Sequence, residues 1–333
     1  MRRREFVAGA MSIIAGTSRV SAQPAGASQR LAIFSPAEPS ALMQEKSDGR
    51  YYRALFEELR RLGHVEGQNL IVERYGIEQN RSGAEALAAD VIRSHPDVVF
   101  LIGPGAPIFK KADAKFPIVA LTADPIAQGL AQSLARPGRN ITAVSVDTGP
   151  SIHGKRIALL HEMFPAMSKL AFLTLRVAWQ GVQRPPVRAA AETVGITLVP
   201  LLVDSPASED DYRSAIAQAL REGADAIMIG DAPDVVRYRS PILELIGAAR
   251  LPAIYPFFEL VEGGGLMAYA FDLIELNKRV ANDIDAILRG ANPGEIPFYQ
   301  ATKFELSINL KTARVLGLNV PATLLASADK VIE

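Results

Sequence analysis

Four histidines, His64, His95, His153 and His161, are scattered along the chain, and none stands three or four residues from another. That spacing builds no metal site on one helix face, and each reads as an ordinary core or surface histidine. Cysteine is absent, which removes thiol catalysis, thiolate-held zinc and disulfides together. No P-loop, His-Glu-x-x-His or nucleophile elbow occurs. Glu57-Glu58 and Glu209-Asp210-Asp211 read as solvated helix positions or caps rather than acid/base pairs. Gly103-Pro104-Gly105-Ala106-Pro107-Ile108 begins like the dinucleotide fingerprint but lacks its third glycine. Pro104 and Pro107 also have no N–H to offer a pyrophosphate. The segment reads as a tight turn, either bringing main chain close to a ligand or simply turning. Asp124-Pro125 has two readings: a helix N-cap with proline at the first helical position, or an acid facing a ligand ammonium.

The elements that carry these residues alternate. Arg30 to Phe34 is a short apolar run closed by Ser35-Pro36, the pattern of a buried strand. Tyr51 to Leu62 is amphipathic and stops at Gly63. Strands are predicted over 69–75, 97–102, 117–121 and 140–144, with helices over 84–93, 108–114 and 126–134 between them. The rhythm restarts after 145–150. Helices are predicted over 155–163, 185–194, 210–221, 241–249 and 273–288, and strands over 170–175, 196–203, 226–229, 253–255 and 266–270. Two such runs give an α/β protein with two doubly wound, Rossmann-like lobes and a ligand cleft between them. The boundaries expected are 30–145 plus about 270–297 for one lobe and 146–269 plus about 303–333 for the other.

Ligands in doubly wound sheets sit beyond the carboxyl ends of the strands. That rule nominates Ser35, Gly103, Pro104, Gly105, Thr122 and Asp124 in the first lobe. In the second it nominates Trp179, Asp231, Tyr255 and Phe257, with Tyr269 near a crossover. Hydroxyls and free amides suit a carboxylate, an acid suits an ammonium, and rings suit an apolar or planar body.

The 333 residues suit two domains, and 49% hydrophobic residues with a mean hydropathy of +0.13 exclude a disordered chain. Lys+Arg number 36 and Asp+Glu 36, a balance that argues against nucleic acid as a partner. The chain opens with Met1-Arg2-Arg3-Arg4-Glu5-Phe6, continues through small apolar residues and reaches Val20-Ser21-Ala22. A basic start, a short apolar stretch and small residues at the cleavage point predict a signal peptide over 1–22, cut after Ala22. Arg3-Arg4-x-Phe6 also fits the twin-arginine variant. Loss of Arg2, Arg3, Arg4 and Arg19 against Glu5 tips the mature chain slightly acidic.

Several segments together carry a family likeness. They are Arg60-Arg61-Leu62-Gly63-His64-Val65-Glu66-Gly67-Gln68-Asn69, Asp124-Pro125-Ile126-Ala127-Gln128-Gly129-Leu130, and Ser133 through Thr142. Gly154-Lys155-Arg156, Leu251 through Tyr255, Glu262 through Tyr269, and Thr302 through Ala313 complete the set. With these the chain resembles the ABC transporter substrate-binding proteins that include the periplasmic tryptophan-binding-type components. The resemblance implies a type I periplasmic binding fold that captures a small organic solute, an amino acid or an aromatic or organic acid, and delivers it to an inner-membrane ABC permease. It implies no reaction, no cofactor and no metal, a monomer, and a periplasmic location. Two loops depart from the family pattern. Gly103-Pro104-Gly105 replaces a Gly-Thr-Pro-type turn, and Leu175-Arg176-Val177-Ala178-Trp179 replaces Asn-Pro after the second lobe's first strand. Hinge segments are expected near 144–148 and 266–270, with a third crossing in 296–306. An exported doubly wound hydrolase-type enzyme and a solute sensor for a receptor kinase stand as alternatives.

Overall fold

The computed structural model describes residues 28–78, 83–103, 105–122, 125–126, 128–131, 133–146 and 151–333. The expected leader over 1–22, Pro104 and Asp124 lie outside the described residues. The chain first lays down β1 (Gln29–Phe34), α1 (Arg50–Arg61), β2 (Leu70–Tyr75), α2 (Ala84–Ser94), β3 (Val98–Ile102), α3 (Ala106–Lys111), β4 (Ile118–Thr122) and β5 (Ile141–Ser145). A second series follows: α4 (Ser151–Met163), β6 (Lys169–Leu175), α5 (Arg176–Ala178), α6 (Arg184–Thr193), β7 (Thr197–Val203), α7 (Glu209–Arg221) and β8 (Ala226–Ile229). It continues with α8 (Pro233–Arg237), α9 (Arg239–Ala249), β9 (Ala253–Tyr255), α10 (Phe258–Glu262) and β10 (Met267–Phe271). The chain closes with α11 (Leu273–Leu288), β11 (Tyr299–Gln300), β12 (Phe304–Asn309), α12 (Leu310–Leu316), α13 (Ala322–Ser327) and β13 (Lys330–Ile332).

Two sheets result. The first has the order β11-β5-β4-β3-β1-β2 and is parallel throughout. The second has the order β13-β12-β10-β9-β8-β6-β7, with one antiparallel pairing, β10 with β12. The chain therefore passes between the sheets after β5, after β10 and after β11. Parallel strands need both faces covered, and the two-residue period of a strand distributes the covering. On β1, Leu31 and Ile33 join one apolar cluster while Ala32 and Phe34 join another. On β3, Val98 and Phe100 face one way and Val99 and Leu101 the other. The second sheet repeats the device, with Ala171, Leu173 and Leu175 of β6 opposed to Leu170 and Phe172. One cluster takes alternate residues from both sheets, so the two lobes share continuous apolar contact.

α11 follows the second sheet in sequence but packs beside α1 and across β3, β4 and β5 of the first. Its buried stripe of Leu276, Val280, Ala281, Ile284 and Ile287 meets the Tyr52, Leu55, Phe56 and Leu59 stripe of α1. His64 Nε2 and Asp285 Oδ1 close the far end of that seam at 2.7 Å. At α7, Asp211 and Ser208 form a reciprocal capping box, the capping role expected of that acidic run.

Two expectations differ from the structure. The stretch 126–134 is turn and irregular chain among its described residues. Gly129 adopts φ +65, and the Leu130 N–H returns to the Pro125 carbonyl at 2.9 Å, which ends the coil after a single turn. Trp179 lies in a wide helical turn, Trp179–Gln183, that joins α5 to α6, where a loop was expected.

Gly265 is one position where packing demands glycine. A Cβ there would sit 2.5 Å from the Tyr255 ring and 2.7 Å from the Leu260 carbonyl. Gly265→Ala is expected to destabilise the fold by about 2 kcal/mol through overpacking, read as a lower urea midpoint with an unchanged slope.

Candidate functional site

A cavity of about 280 Å³ lies where the carboxyl ends of the two sheets converge. The first lobe contributes Ile102 and Gly103 after β3, Leu121 and Thr122 at the end of β4, and Tyr51 and Tyr52 from α1. The second contributes Leu175, Val177 and Ala178 around the end of β6, Asp231, Ala232 and Pro233 after β8, and Phe257 after β9. Val146, Phe271, Leu273 and Asn277 line it from the segments that pass between the sheets. The volume lies near the lower end of the roughly 300–1,000 Å³ of ordinary ligand pockets, so it suits a small molecule. Aliphatic and aromatic side chains make up most of the wall.

Most polar groups at the wall are tied to partners. Asp231 receives a two-pronged ion pair from Arg156 of α4, with Nη1 to Oδ2 at 2.7 Å and Nη2 to Oδ1 at 2.9 Å. Arg156 is 0% exposed, and its Nε donates to the Tyr269 carbonyl of β10 at 2.9 Å. Beside it His153 is buried with its ring edge on Phe172, and burial pushes its imidazole down to about 4, so it is neutral at pH 7. Thr122 Oγ1 accepts from Gln128 Nε2 at 3.0 Å, and Thr174 Oγ1 donates to Gln183 Oε1 at 2.6 Å. Glu38 accepts from Ser35 Oγ at 2.5 Å and from the Tyr52 hydroxyl at 2.8 Å. Asn277 Nδ2 is spent on the Leu273 carbonyl within its own helix. At the rim, Arg50 of α1 reaches across to Glu262 and Glu259 of α10 at 3.0 and 3.3 Å, joining the two lobes.

Of the residues nominated from sequence, Gly103, Thr122, Asp231 and Phe257 meet at this cavity. Gly103 turns the chain at φ +83, and a Cβ there would reach the Pro233 ring of the opposite lobe at 3.5 Å. Ser35 lies one layer back, fully buried, and acts on the cavity through Glu38. Gly105 is a packing glycine, since a Cβ would stand 2.8 Å from the Phe34 ring. Three aromatic residues point elsewhere. Trp179 packs on Phe172 at 5.9 Å in the cluster on the second sheet's other face. Tyr255 is fully buried in the core under Gly265. Tyr269 stacks on Phe304 at 5.5 Å and contributes only its carbonyl, to Arg156.

The nominations missed Glu38, Tyr51, Tyr52, Val177, Gln183, Phe271 and Asn277. Glu38 sits four residues past the end of β1, within reach of the strand-end rule. The tyrosines hid in a helix whose apolar stripe reads as core, and Asn277 was the polar break in the stripe of α11.

Two α/β lobes built on mostly parallel sheets, joined by three crossings and with a cavity between their strand ends, have the architecture of the type I periplasmic binding proteins. Residues 40–332 match the family model described as ABC transporter substrate binding protein, and the chain belongs to that family. A curated relative, the tyrosine-binding protein of Clostridioides difficile (strain R20291), is 19% identical over 287 residues, 84% of this chain and 80% of its own. Among solved structures, a conserved domain protein from Vibrio cholerae superposes with TM-score 0.78 at 25% identity, covering 91% of this chain and 99% of that one. The ABC domain from Streptococcus pneumonia in complex with L-Trp superposes with TM-score 0.77 at 22% identity, covering 92% of this chain and 100% of that one.

Arg156→Ala leaves the Asp231 carboxylate with no partner for its charge, and a loss of about 3–5 kcal/mol in unfolding free energy is expected. Removing both charges, as Arg156→Met with Asp231→Leu, is expected to recover much of that loss. Asp234, just past the cavity wall in α8, has its carboxyl pushed from 3.8 up to about 6 by burial. The folded state therefore favours the protonated acid, and this group's contribution is present below about pH 4 and lost as pH rises through 6. Asp234→Asn keeps a neutral side chain, so its stability relative to wild type is expected to climb by about 2 kcal/mol between pH 4 and pH 7. Parallel stability profiles for the two proteins would count against this reading of Asp234.

Proposed function

We propose that this protein captures a small organic solute with an apolar or aromatic body in the cavity between its lobes. It carries no chemistry of its own and hands the solute to an ABC permease of the inner membrane. The observation that carries this reading is the largely apolar cavity, bounded by the carboxyl ends of both sheets and by the segments that join them. Phe257, Phe271, Tyr51 and Tyr52 give it aromatic walls. The relatives support an amino acid or aromatic acid as the solute class, since one is named for tyrosine and another holds L-Trp. The ligand-binding set proposed is Gly103, Thr122, Asp231 and Phe257 from the strand ends, extended by Glu38, Tyr52 and Phe271.

Capture proceeds by hinge bending. The hinge is proposed at the three passages; the expected segment 266–270 is mostly β10, inside the second sheet, so the second passage moves on to 271–273, beside those near 144–148 and 300–304. The lobes proposed are 30–145 plus about 270–297 and 146–269 plus about 303–333, with the end of β10 assigned to the second and β11 to the first. The Arg50 pairs to Glu259 and Glu262 span the closed edge. The basic, apolar start of the chain supports export to the periplasm with cleavage after Ala22. Among the described residues no helix is long and apolar enough to cross a membrane.

A ligand held only by the folded state raises stability by about 2.7 kcal/mol at a hundredfold excess over Kd. Thermal unfolding of the mature protein against a panel of amino acids, aromatic acids and sugars is expected to show an upward shift with an aromatic amino acid or aryl acid. If no panel member shifts the transition or gives heat on titration, solute capture by this cavity is refuted.

A further inference from the structure

Glu38 differs from the other polar groups of the cavity wall. Asp231 is matched by a buried guanidinium, whereas Glu38 forms no salt bridge among the described residues. Its side chain is 8% exposed, and burial pushes its carboxyl above the ordinary range despite two hydroxyl donors. Both donors, Ser35 Oγ and the Tyr52 hydroxyl, fall on the same oxygen, Oε2. Burial raises the Tyr52 phenol well above its ordinary value, so it stays a donor across the accessible pH range. Among the described residues Oε1 receives no hydrogen bond, and Glu38 is part of the cavity wall.

The backbone beneath Glu38 is equally fixed. Its carbonyl accepts from the Ile77 N–H at 2.8 Å, and its N–H returns to the Ser35 carbonyl at 3.2 Å. A Cβ on the neighbouring Gly76 would stand 2.8 Å from the Glu38 carbonyl and 2.6 Å from the Ser40 nitrogen, so that loop lies flat on the β2 end. Arg237 of the opposite lobe approaches this loop but spends Nη1 on the Ala37 carbonyl at 3.3 Å, and its guanidinium lies over the Tyr238 ring. With no cation of its own, a buried carboxyl held this firmly ionises only at a cost, and a positive group in the cavity would remove that cost.

We propose that Glu38 selects the charge of the ligand: its fixed carboxylate receives a primary ammonium group carried on the apolar body that the rest of the cavity encloses. This rests on the solute-capture reading above and narrows the ligand class to amine-bearing molecules, such as aromatic amino acids, in preference to their deaminated acids. Charge-assisted hydrogen bonds of this kind discriminate by roughly 10–100-fold.

The test is calorimetric titration at pH 7 of wild type and Glu38→Gln. The probes are L-tyrosine with 3-(4-hydroxyphenyl)propionate, and L-tryptophan with indole-3-propionate. Wild type is expected to prefer each amino acid over its deaminated partner by at least about thirtyfold. Glu38→Gln is expected to cut that preference below about fivefold while still binding the acids. If Glu38→Gln does not fold, Glu38→Asp, which shortens the reach by one methylene, is expected to reduce the preference at least fivefold. Equal binding of amine and acid by wild type, or full preference in a folded variant, overturns the role of Glu38 while leaving solute capture intact. Failure of wild type to bind any of the four probes overturns this inference together with the aromatic reading it rests on.

Discussion

The buried pairing of Arg156 with Asp231 is the constraint on which the cavity depends. A guanidinium taken fully out of water must satisfy its donors, and here three nitrogens do so on two partners of the same lobe, the Asp231 carboxylate and the Tyr269 carbonyl. The pair pins α4, the first helix after the chain enters the second lobe, to the loop after β8 and to the carbonyl of Tyr269 in β10. The loop after β8 forms one cavity wall, and β10 ends at the second passage between lobes. One ion pair thus sets the angle of the wall and the position from which the chain leaves. Its net energy is small beside its geometric effect, because desolvation offsets most of the attraction.

Burial of the strands on both faces explains how much of this arrangement could be read in the sequence. Apolar runs bounded by Gly, Pro or Asp marked most of the strands of both sheets, because a strand covered on two faces has no polar side to confuse the signal. The rule that ligands gather at carboxyl strand ends nominates Gly103, Thr122, Asp231 and Phe257, and the structure brings these four to the cavity wall. Three aromatic residues that it nominates lie away from the cavity, and position along the chain rather than residue type is the reason. Tyr255 closes β9 on the core-facing side, whereas Phe257, two residues on and past the strand, reaches the cavity. Tyr269 lies within β10 opposite Leu306 and stacks on Phe304 of the antiparallel neighbour, a pairing no local pattern announces. Trp179 turned away because the segment after β6 coils into α5 and α6 instead of running on as a loop.

The remaining wall was hidden because helices supply it. Tyr52 follows the same spacing as Leu55 and Leu59, so its sequence context reads as core, and most of its ring is core. Only the hydroxyl, aimed at Glu38, reveals a second duty. Asn277 is placed by a helix that belongs to the first lobe although it follows the second lobe's strands in sequence, and periodicity along α11 cannot say which sheet it covers. Asp124-Pro125 resembles a helix start, which predicts a helix over 126–134, and the left-handed Gly129 that ends the coil is visible only as backbone geometry.

That placement of α11 bears on how the chain comes into being. The seam between α1 and β3, β4 and β5 is an apolar surface whose cover begins at Leu273, after the whole of the second strand series. During synthesis the first lobe must wait, with Leu55, Leu59, Phe100 and Val119 uncovered, until that helix emerges from the ribosome. Neither lobe can mature ahead of the other, since β12 and β13 of the second sheet arrive later still. The nascent polypeptide therefore stays open and adhesive for most of its length, a state in which helper proteins have surface to hold and from which folding is completed late, as one event.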